Sequence, residues 1–322
     1  MPLPTQTCPP TEEALQRAAA HLRSGALVAF PTETVYGLGA DATNAIAVAR
    51  IFAAKGRPQF NPLIVHVSDG AAAAHLGHFS ENAKMLAAAF WPGPLTLVVQ
   101  RAENCPIADL VSAGLPTLAL RVPDHEIAHA LLKTFGKPLA APSANRSGHV
   151  SATRAEHVAA DLGQSVSMIL DGGPVQHGLE STVLDVTADD IILLRPGAIP
   201  AERIEAVLGA TIARPVGSSI RPHSPGQLES HYATHAPLRL NARDVRNGEA
   251  LLAFGPHAPT ATSGVINLSP AGDLVEAAAN LFAALRELDA AKPAAIAVMP
   301  IPAHGLGDAI NDRLRRAATP RG

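Results

Sequence analysis

Apolar residues in the first two thirds of the chain recur in two patterns, one typical of helices and one of strands. The helical pattern follows Thr11 and Asn44, residue types that cap helix N-termini, and predicts helices over residues 12–23 and 45–54. Short apolar runs predict buried strands. These runs are residues 26–30, 63–67, 95–99, 117–122, 138–141, 168–170, 181–186 and 191–194. Because strands and helices mix without strict alternation, we predict an α/β fold with helices packed on a twisted mixed sheet.

Two further helix starts are predicted from polar residues that precede apolar stretches. Asp124 is the predicted cap of a helix that ends at Gly136. Thr153 and Glu156 have the spacing of a capping box at the start of another helix.

The composition of the chain changes after about Gly209. Residues 214–237 are rich in proline, glycine and serine, which is typical of a linker. Beyond them, apolar runs at 251–254, 265–268 and 294–299 and an amphipathic helix at 273–291 predict a small parallel sheet of Rossmann-like type. We therefore predict a first domain over 1–210, a linker or lid over 211–237 and a small α/β domain over 238–322. Three arginines near the C-terminus are predicted on the exposed face of a last helix: Arg313, Arg315 and Arg316.

Composition excludes several classes of protein. The 322 residues are 47% hydrophobic and 3% aromatic with a net charge of −3, which indicates a globular chain and not a globally basic nucleic-acid binder. The two cysteines, Cys8 and Cys105, cannot supply a disulfide framework or a four-thiolate zinc site. We expect a soluble cytoplasmic protein with no membrane contact, because we find no signal peptide and no apolar run of about 20 residues.

Cationic side chains occur where predicted elements end. Lys55 and Arg57 flank a glycine after a helix, which suits a phosphate chain, although a solvated helix end is the alternative. Arg121 and Arg195 each end an apolar strand. A buried guanidinium needs a partner, and for Arg121 a substrate carboxylate and a structural Asp or Glu explain the pattern equally well.

Polar residues at strand ends favour ligand binding over covalent catalysis. Ser143 and Asn145 have no adjacent base, so hydrogen bonding to phosphate or base fits better than nucleophilic attack, and a simple turn is the alternative. His66 interrupts an apolar strand, and on its own it is typical of a core or edge residue. Neither a nucleophile elbow nor a P-loop is present. His231 and His235 lack the glutamate of a zinc-protease helix, so we predict no protein metal site.

Taken together, the motifs resemble the YrdC-like family in its long two-domain form, the threonylcarbamoyl-AMP synthases. The resemblance covers nearly the whole chain. It rests on Pro31-Thr32-Glu33-Thr34-Val35-Tyr36-Gly37-Leu38, Lys55-Gly56-Arg57-Pro58, Asn61-Pro62-Leu63, Trp91-Pro92-Gly93-Pro94, Arg121-Val122-Pro123, Pro142-Ser143-Ala144-Asn145-Arg146-Ser147-Gly148, Glu180-Ser181-Thr182-Val183, Arg195-Pro196-Gly197, Ser224-Pro225-Gly226, His231-Tyr232-Ala233 and Gly305-Leu306-Gly307-Asp308.

The resemblance implies a nucleotidyltransferase that converts L-threonine, bicarbonate and ATP to threonylcarbamoyl-AMP and pyrophosphate. This product would supply N6-threonylcarbamoyladenosine formation on tRNA, with tRNA or tRNA-threonylcarbamoyl transferase proteins as possible partners. Lys55 and Arg57 would act on the phosphates, with Mg²⁺ accompanying ATP. The implied ATP contacts are Lys55, Arg57, Asn61, Thr117, Ser143, Asn145, Ser151, Arg195, His231 and Tyr232. The implied threonine contacts are Thr34, His66, Arg121, Ala141 and Ser181.

One segment departs from the family pattern, and two other functions compete. Residues 227–230 carry one acid and no base where the family linker carries basic residues. A non-catalytic RNA-binding module could use a basic groove, the candidates being Arg50, Lys55, Arg57, Arg146 and Arg154. A carbamoyl transferase of the hydrogenase-maturation type shares this domain, but two cysteines cannot supply its zinc modules.

Overall fold

The computed structural model describes residues 6–214 and 231–319, which form two sheets. The motif at 224–226 and the atypical segment at 227–230 lie outside the described residues. None of the described helices is long and apolar enough to cross a bilayer.

The larger sheet is mixed, as predicted. Its strands are β1 (Gln6–Cys8), β2 (Val28–Phe30), β3 (Gly37–Asp41), β4 (Ile64–His66), β5 (Gly77–His78), β6 (Leu95–Arg101), β7 (Thr117–Arg121), β8 (Leu139–Ala140), β9 (Met168–Leu170), β10 (Thr182–Asp185) and β11 (Ile192–Arg195). Their order is β1-β9-β2-β3-β8-β4-β7-β6-β10-β11, and β5 pairs with β6. The pairs β4–β7 and β6–β10 are parallel, whereas β3–β8 and β6–β7 are antiparallel. The sequence did not reveal β3, because it lies inside a glycine-containing polar motif.

Helices pack on both faces of this sheet. They are α1 (Glu12–Arg23), α2 (Ala45–Lys55), α3 (Gly70–Ala74), α4 (Glu81–Phe90), α5 (Asp109–Ser112), α6 (Glu126–Phe135), α7 (Ala155–Leu162) and α8 (Ala201–Leu208). The predicted caps of α1 and α2 are confirmed, since Thr11 and Asn44 accept hydrogen bonds from the first turns. Two cap predictions were wrong. His125, one residue after Asp124, caps α6 through its ring. The residue that precedes α7 is Arg154, which makes no side-chain cap bond, and the backbone N–H of Thr153 donates to Nδ1 of His157 at 3.3 Å.

The two faces of the sheet differ in what covers them. The main core lies between one face and helices that include α2, α4 and α7. On the other face, α1 and α6 cover a second core around Phe30 and Met168. A third, small cluster consists of Ile64, Val98, Ala119, Val183 and Leu194 with Ile192 packed against it, so no described helix contributes to it. This cluster forms an apolar floor beside the candidate site.

The second sheet is small and entirely parallel, as predicted. Its elements are β12 (Leu238–Arg239), β13 (Glu249–Ala253), β14 (Val265–Asn267), α9 (Leu274–Ala290), β15 (Ala295–Val298) and α10 (Leu306–Ala318). The strand order is β12-β15-β13-β14. Leu281, Leu285 and Ile310 from the two helices lie in the core of this unit.

The chain forms two units, the first built around the larger sheet and the second around the small sheet, and they share part of their packing. Val35, Val150 and Leu179 of the first unit belong to the core of the second. Gly178 has φ +64°, and a methyl group there would lie closer than 3.0 Å to the carbonyl oxygen of Ala279 in α9, so only glycine permits this approach. Three ion pairs among the described residues also join the units. These are Arg286–Asp161 at 2.7 Å, Arg313–Glu180 at 2.9 Å and Arg214–Asp308 at 3.0 Å.

Candidate active site

A pocket opens where β4, β7 and β8 meet residues from both units. Its walls contain nine of the residues that the sequence singled out: Arg57, His66, Arg121, Ala141, Ser143, Ser181, Arg195, His231 and Tyr232. Thr32 and Glu180 also line it. Segments far apart in sequence therefore converge on one site.

The pairing of β4 with β7 explains why His66 and Arg121 lie together. They are direct register partners on these parallel strands, at the carboxyl ends where α/β sheets bind ligands. The Arg121 guanidinium donates from Nη2 to Oε1 of Glu33 at 2.6 Å, and both side chains are buried. Glu33 is therefore the structural carboxylate that the sequence left open for Arg121. Burial and the Arg121 charge lower the pKa of His66 to about 3, so its ring is neutral at physiological pH.

Short polar side chains surround this pair. The hydroxyl of Ser181 bonds that of Thr96 at 2.7 Å, and the hydroxyl of Thr34 bonds that of Thr32 at 2.8 Å. The backbone N–H of Ala141 donates to Ile64 at 2.9 Å, which holds Ala141 beside β4. Four of the five predicted threonine contacts line the pocket, and the fifth, Thr34, is bonded to Thr32 in its wall.

Arg57 and Arg195 form a second, cationic part of the pocket. Arg57 donates to the carbonyl oxygens of Asn61 and Pro62, and Arg195 donates to the Ser181 carbonyl at 2.8 Å and to its hydroxyl at 3.1 Å. Burial and the charge of Arg195 lower the pKa of Arg57 to about 10. Within residues 6–214 and 231–319, neither guanidinium forms an ion pair with a carboxylate. This pair is therefore suited to an anion such as a phosphate chain.

Lys55 lies behind the pocket wall. Its ammonium donates to the carbonyl oxygens of Ser143 and Asn145, at 2.6 and 2.5 Å. Burial and the neighbouring Arg57 lower the pKa of Lys55 well below its ordinary value. These bonds fix the Ser143–Asn145 loop, so in this structure Lys55 acts on that loop and does not line the pocket.

Asn61 and Thr117 extend the site along β4 and β7. Ile64 pairs with Ala119 in parallel register, so Thr117, two residues before Ala119, lies beside the segment that precedes β4. Neither residue lines the pocket described above. Thr117 stands at the opposite end of β7 from Arg121, about 13 Å away along the strand rise, and the Asn61 carbonyl accepts a hydrogen bond from Arg57.

His231 and Tyr232 reach the pocket from the start of the second unit. The His231 N–H donates to the Arg316 carbonyl of α10 at 3.3 Å, and Ala233 donates to Gly148 of the first unit at 2.8 Å. The Tyr232 ring stacks on Phe282 with centroids 5.4 Å apart. His235 lines a different pocket and bonds Asp289, so it does not join His231 at one site.

Several of these residues carry buried polar atoms that lack hydrogen-bond partners among the described residues. They are Oδ1 of Asn61 and Asn145, Nδ1 of His66 and His231, the hydroxyl of Tyr232, and Oε2 of Glu33. Such atoms are rare in folded proteins because an unmade buried hydrogen bond is costly. Five of these six residues were predicted ligand contacts, so their clustering supports a polar ligand.

Glu180 and Arg313 form a buried ion pair at the pocket that the sequence did not predict. Arg313 was predicted on an exposed helix face, but this prediction was wrong: the residue is fully buried. It donates to Oε2 of Glu180 at 2.9 Å, to the Pro196 carbonyl at 2.9 Å and to Asp312 at 2.7 Å. A signal was available, because Arg313 falls three residues after Ile310 and four before Ala317 in the apolar stripe of α10.

The side chains that line the pocket do not form a site for a metal ion held by the protein alone. Within the described ranges, no group of three or more His, Cys, Asp or Glu side chains could hold one. The carboxylate that lines the pocket, Glu180, is occupied by Ser151 and Arg313.

Comparison with known proteins agrees with both halves of this architecture. A family model described as telomere recombination, covering Sua5, YciO and YrdC proteins, matches residues 20–197. A second model, described as threonylcarbamoyl-AMP synthase, C-terminal domain, matches residues 199–319. The threonylcarbamoyl-AMP synthase of Bacillus subtilis is 43% identical over 94% of this chain and 92% of its own length. The chain belongs to the threonylcarbamoyl-AMP synthase family.

Other relatives of the family support this assignment. The threonylcarbamoyl-AMP synthase of Pyrococcus abyssi is 44% identical over 94% of this chain and 93% of its own. The crystal structure of P. abyssi Sua5 complexed with L-threonine superposes with a TM-score of 0.89 at 39% identity, covering 98% of this chain and 96% of that one. HypF in its phosphate- and nucleotide-bound form is 18% identical with a TM-score of 0.52, so it shares the fold alone. This chain is thus an enzyme of the nucleotidyltransferase type that serves tRNA threonylcarbamoyladenosine synthesis.

Proposed function

We propose that the pocket binds L-threonine at its His66–Arg121 end. Arg121 offers a guanidinium to the amino-acid carboxylate, and the neutral ring of His66 offers an unpaired nitrogen beside it. Ser181, Thr34 and the Ala141 backbone supply the remaining short contacts. The L-threonine complex of P. abyssi Sua5, a relative of similar fold, supports this choice of substrate.

The same pocket would bind the triphosphate of ATP through Arg57 and Arg195. Two partly or fully buried cations without a carboxylate partner among the described residues favour an anion over water. Lys55 holds the Ser143–Asn145 loop that borders the phosphates. The substrate form would be the Mg²⁺ complex of ATP, with the ion on phosphate oxygens and the protein contributing positive charge around it.

The reaction then needs no nucleophilic side chain. The threonine amine attacks bicarbonate and water leaves, which gives a carbamate. A carbamate oxygen attacks the α-phosphorus of ATP, and the bond to the bridging oxygen of the β-phosphate breaks, so pyrophosphate departs. Arg57 and Arg195 stabilise charge on the transferring and leaving groups, while Arg121 fixes the attacking molecule. Catalysis therefore depends on positioning and electrostatics.

The observation that carries this proposal is the presence of two differently charged ends in one pocket. Arg121 beside His66 is ion-paired with Glu33, whereas Arg57 and Arg195 have no ion-pair partner among the described residues. That asymmetry matches an amino acid at one end and a polyphosphate at the other. A basic RNA groove fits less well, because Lys55 points inward and Arg50 is bonded to the Gly25 carbonyl.

The test is incorporation of isotope-labelled bicarbonate into an adenylate. The purified chain is incubated with ATP, Mg²⁺, labelled bicarbonate and L-threonine, and the products are separated by mass spectrometry. We expect a labelled threonylcarbamoyl adenylate that disappears when threonine is omitted. Salt-sensitive tRNA binding without any labelled adenylate would instead support the RNA-binding alternative. Addition of a tRNA-threonylcarbamoyl transferase and tRNA would then report whether the product serves that partner.

A further inference from the structure

Four charged side chains of the first unit line the pocket, and they are not equivalent. Arg121 is neutralised by Glu33, and Arg57 and Arg195 have no ion-pair partner among the described residues. Glu180 is the only carboxylate lining this pocket in the described ranges, and it stands among groups that should receive a polyanion. An ionised Glu180 there would repel the phosphates of ATP.

The second unit supplies the charge that offsets Glu180. Arg313 of α10 is 0% exposed and donates from Nε to Oε2 of Glu180 at 2.9 Å. Ser151 donates to Oε1 of the same carboxylate at 2.6 Å, so both oxygens are engaged and the side chain is held in one orientation. Arg313 also donates to the carbonyl of Pro196, next to Arg195, and its guanidinium lies 5.2 Å from the Tyr232 ring centroid.

We propose that Arg313 is a positioning residue for the nucleotide: from the second unit, it neutralises and orients Glu180 so that this carboxylate does not offset the positive charge that Arg57 and Arg195 present to ATP. This inference rests on the proposed ATP site. It also gives the second unit a role in nucleotide binding, because Arg313 supplies an interaction that the first unit lacks. Threonine binding depends mainly on Arg121, which Glu33 already neutralises, so it should depend on Arg313 much less than nucleotide binding does.

The test measures binding and not turnover, using calorimetry with a non-hydrolysable ATP analogue and, separately, with L-threonine. Arg313→Met should raise the Kd of the analogue roughly tenfold or more, because it leaves an uncompensated carboxylate near the phosphates, while the Kd of threonine changes by less than about twofold. Arg313→Met combined with Glu180→Gln removes both charges and should recover most of the lost nucleotide affinity. A purely structural role for Arg313 predicts no such recovery specific to the nucleotide.

A matched control separates charge compensation from general destabilisation. Arg239 forms a bidentate pair with Glu249 inside the second unit, at 2.8 and 2.6 Å, remote from the pocket. Arg239→Met should lower the melting temperature but leave both dissociation constants unchanged. The inference is overturned if Arg313→Met binds the analogue normally, if both ligands weaken alike, or if the double variant fails to recover. Failure of the wild-type chain to bind the analogue would refute the proposed ATP site itself.

Discussion

Arg121 and Glu33 form a buried ion pair, with Nη2 and Oε1 2.6 Å apart, at the end of the pocket that should receive threonine. The second carboxylate oxygen of Glu33 has no hydrogen-bond partner in the described chain. In the free site, Glu33 therefore holds the Arg121 guanidinium in place. The second oxygen of Glu33 is left to accept a hydrogen bond from a substrate N–H group. A substrate carboxylate would share Arg121 with Glu33.

Arg121 should govern threonine affinity. Arg121→Ala alone would leave the buried Glu33 uncompensated, at a cost of about 3–5 kcal/mol, so the change is best made together with Glu33→Gln. We expect the KM for threonine to rise about tenfold or more, since a charged hydrogen bond contributes about 1.5–3 kcal/mol, and the KM for ATP to stay within about twofold. Steady-state kinetics with Glu33→Gln as the control measures this. A near-normal threonine KM in the double variant would remove Arg121 from the threonine site.

Lys55 should act through the loop that it holds. Lys55→Met removes two hydrogen bonds, to Ser143 and Asn145, and should lower both the melting temperature and kcat/KM for ATP. Lys84 provides the control, because it forms a solvent-exposed pair with Glu81 and Lys84→Met should change neither quantity appreciably. Thermal unfolding and pyrophosphate kinetics give the two readouts. An unchanged melting temperature with lost activity would instead indicate direct contact of Lys55 with the phosphates.

Stability should increase with pH on the acid side. Burial lowers the pKa of His66 and of His231 to about 3 and that of His157 to about 4, from 6.5 in the unfolded chain. Between those values the unfolded chain binds more protons than the folded one, so the free energy of unfolding rises with pH from about 3 to 6.5 and is then level with respect to these groups. Denaturant unfolding at several pH values measures the slope.

His66 should account for part of that slope. In His66→Gln the rise of the unfolding free energy below pH 6.5 should be shallower than in the wild type. His235→Gln is the control, because its ring is 80% exposed. Equal slopes in the wild type and His66→Gln would show that the His66 ring titrates alike in the folded and unfolded chains.

Gly197 should be irreplaceable for a steric reason. A methyl group there would lie closer than 3.0 Å to backbone atoms of Ser181 and Thr182, which cannot move without displacing Ser181 and its partner Arg195. Gly197→Ala should destabilise the chain by about 1–3 kcal/mol and raise substrate KM values. Gly70→Ala adds a methyl that meets nothing within 4 Å and serves as the control. Wild-type kinetics and stability for Gly197→Ala would contradict the packing at this loop.

The sequence predicted much of the fold because its signals are local. Caps such as Asn44 and the final glycine Gly56 depend on adjacent backbone groups, and the stripe of α9 follows a fixed helical period. The errors occurred where these local signals were ambiguous or absent. His125 displaced Asp124 as a cap by one position, and β3 was hidden because its two glycines lie inside a polar motif that lacks an apolar run.

The sequence predicted which residues belong to the candidate site, but not which of them pair with one another. Which carboxylate meets Arg121 depends on how the Glu33 loop folds over β7, 88 positions away in the chain. Arg313 and Glu180 lie 133 positions apart and in different units, so no periodicity links them. The apolar stripe of α10 indicates only that Arg313 is buried. Its long-range ion pair can be identified only from the assembled structure.

The most direct test of the central claim is pyrophosphate release from ATP with Mg²⁺, with threonine and bicarbonate omitted in turn. Carbamate adenylation predicts release only when both are present, because the attacking oxygen is formed from them. Release that persists without threonine and bicarbonate would contradict the account, since water would then be the nucleophile and the threonine end of the pocket would have no part in the chemistry.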